Sequence, residues 1–210
     1  SLLFVPPAEG GGMEIIMKSE TKLKGKDLIN IGIYGAIYCV LLTAVAMLGY
    51  IPIMMPLLTV IGPIVCSIPM MLFMTKVKKF GMVTIMGIIL GVYLWITGMG
   101  FWPAIFGLVF GLIADFVDKS GDYQSAIKTV IGNGIFHILL FGNFLPLYLN
   151  ADKYFSTRQS FGQDYITSLT NIMQPWTAPV LLVCCFVSGV MGALLGKKLL
   201  KKHFVKAGIA

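Results

Sequence analysis

The residues best suited to chemistry fall in one apolar stretch, KTVIGNGIFHILLFGNFLPLYLN, residues 128–150. Asn133, His137, Phe141, Phe144 and Tyr148 recur at spacings of 4, 4, 3 and 4, which places them on one face of a helix. An amide and an imidazole followed by three aromatic rings make a plausible pocket wall, where a few polar groups among apolar ones fix a ligand. Two readings of the polar pair stand side by side. Asn133 and His137 either touch a ligand or hold helices together, for example through Ser188, because an unpaired polar side chain is costly inside a membrane. Metal coordination by a single histidine has no second ligand to support it.

Other candidates lie where an external pocket would open. Trp95, Trp102 and Trp176 fall near one predicted membrane face, where tryptophans form interfacial belts. Trp102 and Trp176 flank outer loops and are also candidate ligand contacts. Arg158, the one arginine, could pair in bidentate fashion with a carboxylate or phosphate, or simply be solvated. Asp115, Asp118 and Asp122 make an acidic stripe, expected to form salt bridges with Lys119 and Lys128 or to dock a basic partner surface. Cys39, Cys66, Cys184 and Cys185 sit in apolar runs without CxxC spacing, so a disulfide framework or zinc site is not expected. No nucleophile–base pair stands out, and neither catalysis nor a cofactor is expected.

Those residues need elements to hold them, and composition says which. The chain has 210 residues, 57% hydrophobic and 12% charged, with a mean hydropathy of +0.87. Soluble domains carry about twice that charged fraction. The balance excludes a soluble enzyme, a disordered protein and a nucleic-acid-binding domain. It predicts an all-α integral membrane protein.

Six apolar stretches can be laid out, about 27–49, 52–74, 82–98, 101–117, 125–149 and 175–196. Fourteen of the sixteen Lys and Arg flank one set of their ends, and only Lys153 and Arg158 flank the other. The positive-inside rule therefore puts both termini in the cytoplasm. The expected organisation is a leftover of cloning at 1–12 ahead of Met13 and a basic cytoplasmic segment at 13–26. A six-helix membrane domain follows at 27–198, then a basic cytoplasmic tail at 199–210. The outer loop 150–174, polar and rich in aromatics (Tyr154, Phe155, Phe161, Tyr165), reads as a lid or interfacial segment and a place for substrate contacts.

Energy coupling is not visible in the chain. Between Asn30 and Gly111 there is no Asp, Glu or Arg, whereas ion-coupled transporters keep ionisable groups near mid-membrane. The run from Gly192 to Lys198 is one residue short of a phosphate loop and lacks its Ser or Thr. Uphill transport would therefore draw its energy from another protein. Small-xxx-small pairs that allow close helix contact occur at Gly32–Ala36, Gly87–Gly91, Gly107–Gly111 and Gly192–Gly196. One partner cannot use all four, so most are expected to be internal.

Six helices with both termini inside and a small-residue stripe on the first resemble the substrate-binding S components of energy-coupling factor (ECF) transporters. The text GLVFGLIADFVDKSGDYQSA at 107–126, with the basic turn TKVKKFG after the second helix, is similar to the S components labelled Trep_Strep. The resemblance implies a bacterial plasma-membrane subunit that captures a vitamin-like molecule outside. It would deliver it through a transmembrane coupling subunit and a pair of ATPases. It also implies that a stripe on the first helix meets the coupling subunit; the matching positions are Gly32 and Ala36, with Gly35 and Thr43 beside them. The rival expectation is a self-contained facilitator, channel or secondary transporter for a small apolar or planar compound.

Overall fold

A computed structural model of the protein describes residues 23–156 and 159–206. The expectations for 1–12, for most of 13–26, for Arg158 and for the last four residues fall outside the described residues. The described chain is helical, without strands. In order it forms α1 (Gly25–Ala46), α2 (Met54–Lys76), α3 (Met82–Leu94), α4 (Trp102–Ser120) and α5 (Ala126–His137). There follow α6 (Leu145–Leu149), α7 (Ala151–Ser156), α8 (Gln163–Ile172), α9 (Thr177–Leu199) and α10 (Lys201–Lys206).

Four helical segments are long and apolar enough to cross a membrane: Gly25–Tyr50, Met54–Lys76, Met82–Met99 and Thr177–Leu199. They correspond to the predicted stretches one, two, three and six. The fourth stretch is one helix, α4, but Asp115, Asp118 and Lys119 crowd its final turns. The fifth is not one helix. It is α-helical to His137, tightens to a 3₁₀ helix over Ile138–Asn143 and resumes at Leu145. Pro146 bars a regular α-helix across Gly142, since its ring clashes with that carbonyl four residues back and it offers no N–H to it. The change of pitch ends the single face expected from Asn133 to Tyr148.

Close backbone contact holds the bundle together. A Cβ on Gly87 would strike the backbone of Gly107, and one on Gly91 the backbone of Ala104. Gly111 lies against Thr84 Cα, at 3.0 Å from a would-be Cβ. Two of the small-residue pairs thus weld α3 to α4, with Gly98 (φ +91°) and Gly100 (φ +84°) making the reversal between them. A third pair packs α9 on α2: a Cβ on Gly192 would lie 2.8 Å from Ile64 Cα. These three pairs are internal. The fourth is not, because Gly32 has open space around its would-be Cβ and Ala36 is exposed.

At the lysine-rich end, Asp27 accepts hydrogen bonds from the Lys24 amide (2.8 Å) and from Lys79 Nζ (2.6 Å), tying α1 to the α2–α3 turn. The acidic stripe behaves differently from expectation. Lys119 lies over the Phe80 ring, 5.0 Å from its centroid, and Lys128 donates to Ser120 O at 2.6 Å, so neither lysine is spent on the aspartates. Asp115 is wholly buried and accepts from Val83 N (3.3 Å), Thr84 N (2.7 Å) and Thr84 Oγ1 (2.5 Å). It thereby caps α3, whose own N-cap, Gly81, has no side chain to do so. Beyond α4 the chain turns through Asp122 and Tyr123, both at positive φ. Burial raises the Tyr123 hydroxyl pKa, and the nearby Asp115 and Asp118 raise it further.

Candidate functional site

At the end opposite the lysine clusters the bundle encloses a cavity of about 380 Å³. Its walls come from the end of α1 and the 3₁₀ turn after it (Leu42 to Tyr50), the first turns of α2 (Met55, Leu58, Gly62), and the end of α3 with the wider helical turn after it (Tyr93 to Met99). Leu140, Asn143 and Phe144, from the 3₁₀ break, close one side. The segment expected as a loop, 150–174, is instead largely folded into α7, a 3₁₀ turn at Gln159–Phe161, and α8. It lies over the cavity, which Tyr154, Phe155, Phe161 and Tyr165 line. Tyr165 Oη donates to Gly49 O at 2.6 Å, and its ring stacks on Phe161 at 4.7 Å. Phe161 in turn meets Tyr50 at 5.6 Å. An aromatic series therefore fastens the cover to the 3₁₀ turn, Met47–Tyr50, that follows α1.

The polar groups around the cavity are few. Thr43 Oγ1 donates to Cys39 O (2.8 Å), so in its 2.5 Å contact with Tyr93 the tyrosine hydroxyl must be the donor. Thr97 Oγ1 donates to Leu94 O (2.9 Å) and Asn143 Nδ2 to Leu140 O (3.1 Å). Asn143 Oδ1 is buried and has no partner among the described residues.

The candidate residues separate into distinct places. Phe144 lines the cavity, and so does Thr43, which the resemblance places beside the partner stripe. Gly35 points inward, its would-be Cβ 3.4 Å from Met86 Sδ, while Gly32 and Ala36 face out. Phe141 is buried beside the cavity wall and Tyr148 bonds Thr177 Oγ1 at 2.6 Å, their rings stacked at 6.3 Å. Trp95 and Trp176 are exposed, Trp102 stacks on Phe101 at 5.0 Å, and none of the three tryptophans lines the cavity. Sequence spacing does not single out Thr43, Tyr93 and Asn143 as cavity residues; the signal they give is that of single polar residues near the ends of apolar runs.

Asn133 and His137 lie deeper, wholly buried. Asn133 Nδ2 bridges Ser67 Oγ (2.8 Å) and Gly189 O (2.9 Å), joining α5 to α2 and α9. His137 Nδ1–H donates to Asn133 O (2.8 Å), and the ring stacks on Tyr38 of α1 at 5.8 Å. Asn133 Nδ2 thus has interhelical partners, while Asn133 Oδ1 and His137 Nε2 are buried with no partner among the described residues. No group of three His, Cys, Asp or Glu among the described residues could hold a metal. Asn133→Ala should therefore lower stability by about 1–2 kcal/mol, as two interhelical hydrogen bonds at about 0.6 kcal/mol each plus a small void require. Thermal unfolding in detergent should show a fall of about 2–8 °C. An unchanged melting temperature would remove the interhelical role.

Helices of this length and apolarity, with an aromatic cavity at one end, define a multi-pass integral membrane protein. Within that class the chain belongs to the bacterial integral membrane family Trep_Strep, described as hypothetical, whose model matches residues 25–206. No curated protein and no solved structure matches the chain.

Proposed function

We propose that the protein is the substrate-capturing subunit of an ECF-type importer in a bacterial plasma membrane. The observation that carries this reading is the covered cavity at the end remote from the lysine clusters. In a six-crossing arrangement with cytoplasmic termini, that end faces outward, where a nutrient is met. A coupling subunit and two ATPases would supply the energy that this chain shows no means of supplying. The protein performs no covalent chemistry on its substrate, and the bilayer is its solvent.

The partner surface in this reading is α1. Only 22% of its apolar stretch is buried within the chain, against 56% for α2. Gly32 and Ala36 lie on the uncovered side, where small residues permit close approach of another helix. A self-contained facilitator is the rival, and it needs no such surface.

Affinity purification from a host that also expresses an ECF coupling subunit and its ATPases separates the two. The tagged wild type should retain all three partners. Ala36→Trp should lose them while melting within about 2 °C of wild type, because an exposed position away from special contacts costs under ~0.5 kcal/mol. Transport by the purified chain alone in liposomes, with no partner retained, would overturn the importer reading.

A further inference from the structure

The cavity can be read for the kind of molecule it accepts, an inference that rests on the cavity being the capture site. No Asp, Glu, Lys, Arg or His is among the described residues that line it. A charge buried there would lose its hydration and gain no ion pair, which is costly. The walls carry the rings of Tyr50, Tyr93, Phe144, Phe155, Phe161 and Tyr165, whose faces suit stacking against a flat molecule. In size, about 380 Å³ is near a dozen water volumes at ~30 Å³ each. That accommodates one or two fused rings with small substituents, at the lower end of small-molecule pockets.

Hydrogen-bond polarity narrows the class. The protons of Thr43, Thr97 and Tyr165 go to protein carbonyls, and the proton of Tyr93 goes to Thr43. What Tyr93 has left to offer is oxygen lone pairs. Asn143 adds Oδ1, buried without a partner among the described residues; of its two Nδ2 protons one goes to Leu140 O. A buried acceptor left unpaired costs free energy that a ligand donor can recover. We infer that the cavity binds an uncharged, flat, one- or two-ring molecule bearing an N–H or O–H that donates to Asn143 Oδ1. Carboxylates and phosphates would be desolvated against ring faces with no cation among the described lining residues, and are rejected.

Four probes on one scaffold test this by equilibrium dialysis against the wild-type protein in nanodiscs, with empty nanodiscs subtracted. They are indole, 1-benzofuran (the same shape without the N–H), indole-3-acetate and tryptamine. Indole should bind tightest. Benzofuran should bind about tenfold more weakly, the equivalent of 1.4 kcal/mol, and both ions at least tenfold more weakly. Asn143→Leu should bring indole and benzofuran to within about twofold of each other. Equal binding of indole and benzofuran by wild type, or no indole binding, overturns the inference. So does preference for either ion; if indole-3-acetate wins and Arg158→Ala removes that preference, the ligand is an anion held by Arg158. The four wild-type affinities decide the matter even where Asn143→Leu fails to fold. Retention of the ECF partners does not depend on ligand polarity, so failure here leaves the importer reading intact and failure there leaves the cavity chemistry intact.

Discussion

Gly107→Val is expected to yield little or no monodisperse protein in detergent, and any surviving fraction should melt more than about 6–12 °C below wild type. The residue sits where α4 meets α3, and a side chain there runs into the Gly87 backbone. Flexible neighbours can make room for an added methyl, at a typical overpacking cost of about 1–3 kcal/mol. A helix backbone cannot turn aside, so the cost reaches or exceeds about 3 kcal/mol, with each kcal/mol worth about 2–4 °C in a chain this size. Gly32→Val in the same assay is the control. It sits in a similar small-xxx-small pair but faces open space, and it should melt like wild type. A normal melt for Gly107→Val would mean that α3 and α4 are not in backbone contact.

The second large effect falls on Asp115. Its carboxylate serves two amides at the start of α3 and one hydroxyl, all from a buried position. Hydrogen bonds to a charged group contribute about 1.5–3 kcal/mol each, and cap removal alone costs about 0.5–2 kcal/mol. Asp115→Ala strands the donors at Val83 and Thr84 and should cost about 3 kcal/mol, a fall of 6–12 °C. Asp115→Asn keeps one acceptor for Thr84 but turns an amide N–H toward the chain's own donors, so it should fall between the two. A thermal melt in one detergent checks all three forms. Equal stability of wild type and Asp115→Ala would show that the carboxylate does not cap α3.

Much of the architecture was legible because burying an apolar run in a membrane leaves few options. The stretches read at 52–74 and 175–196 became α2 and α9 with ends shifted by about two or three residues. The glycine pairs at 87–91, 107–111 and 192–196 announced close contacts that the packing contains. Hydrophobicity alone predicts one continuous helix for the fifth stretch, and the local breaker Pro146 overrides it. The segment 150–174 looked like a loop because α8 is polar on one side, and only Leu169 and its neighbours, pressed against the bundle, give it a reason to fold. The site was the least legible part. Thr43, Tyr93 and Asn143 are far apart in sequence, and nothing in their spacing tells that they share a wall. His137 and Asn133 drew attention as polar residues in an apolar run, yet that signal is the same whether the partner is a ligand or another helix.

The buried carboxylates of α4 also set how tall the protein is as a lipid neighbour. Asp115 and Asp118 turn inward, so the outer side of α4 is an apolar strip from Ile105 to Phe116, ending at Lys119. At 1.5 Å per residue the stretch from Trp102 to Phe116 is about 22 Å high. On α9 the corresponding stretch, from Trp176 to Leu195 just before Lys197 and Lys198, is about 30 Å, the full depth of an ordinary hydrocarbon layer. The perimeter is therefore uneven, short beside α4 and tall beside α9. Lipids must thin on the short side or the whole molecule must lean toward it. In a six-crossing arrangement, longer acyl chains are expected to increase that lean or the local thinning.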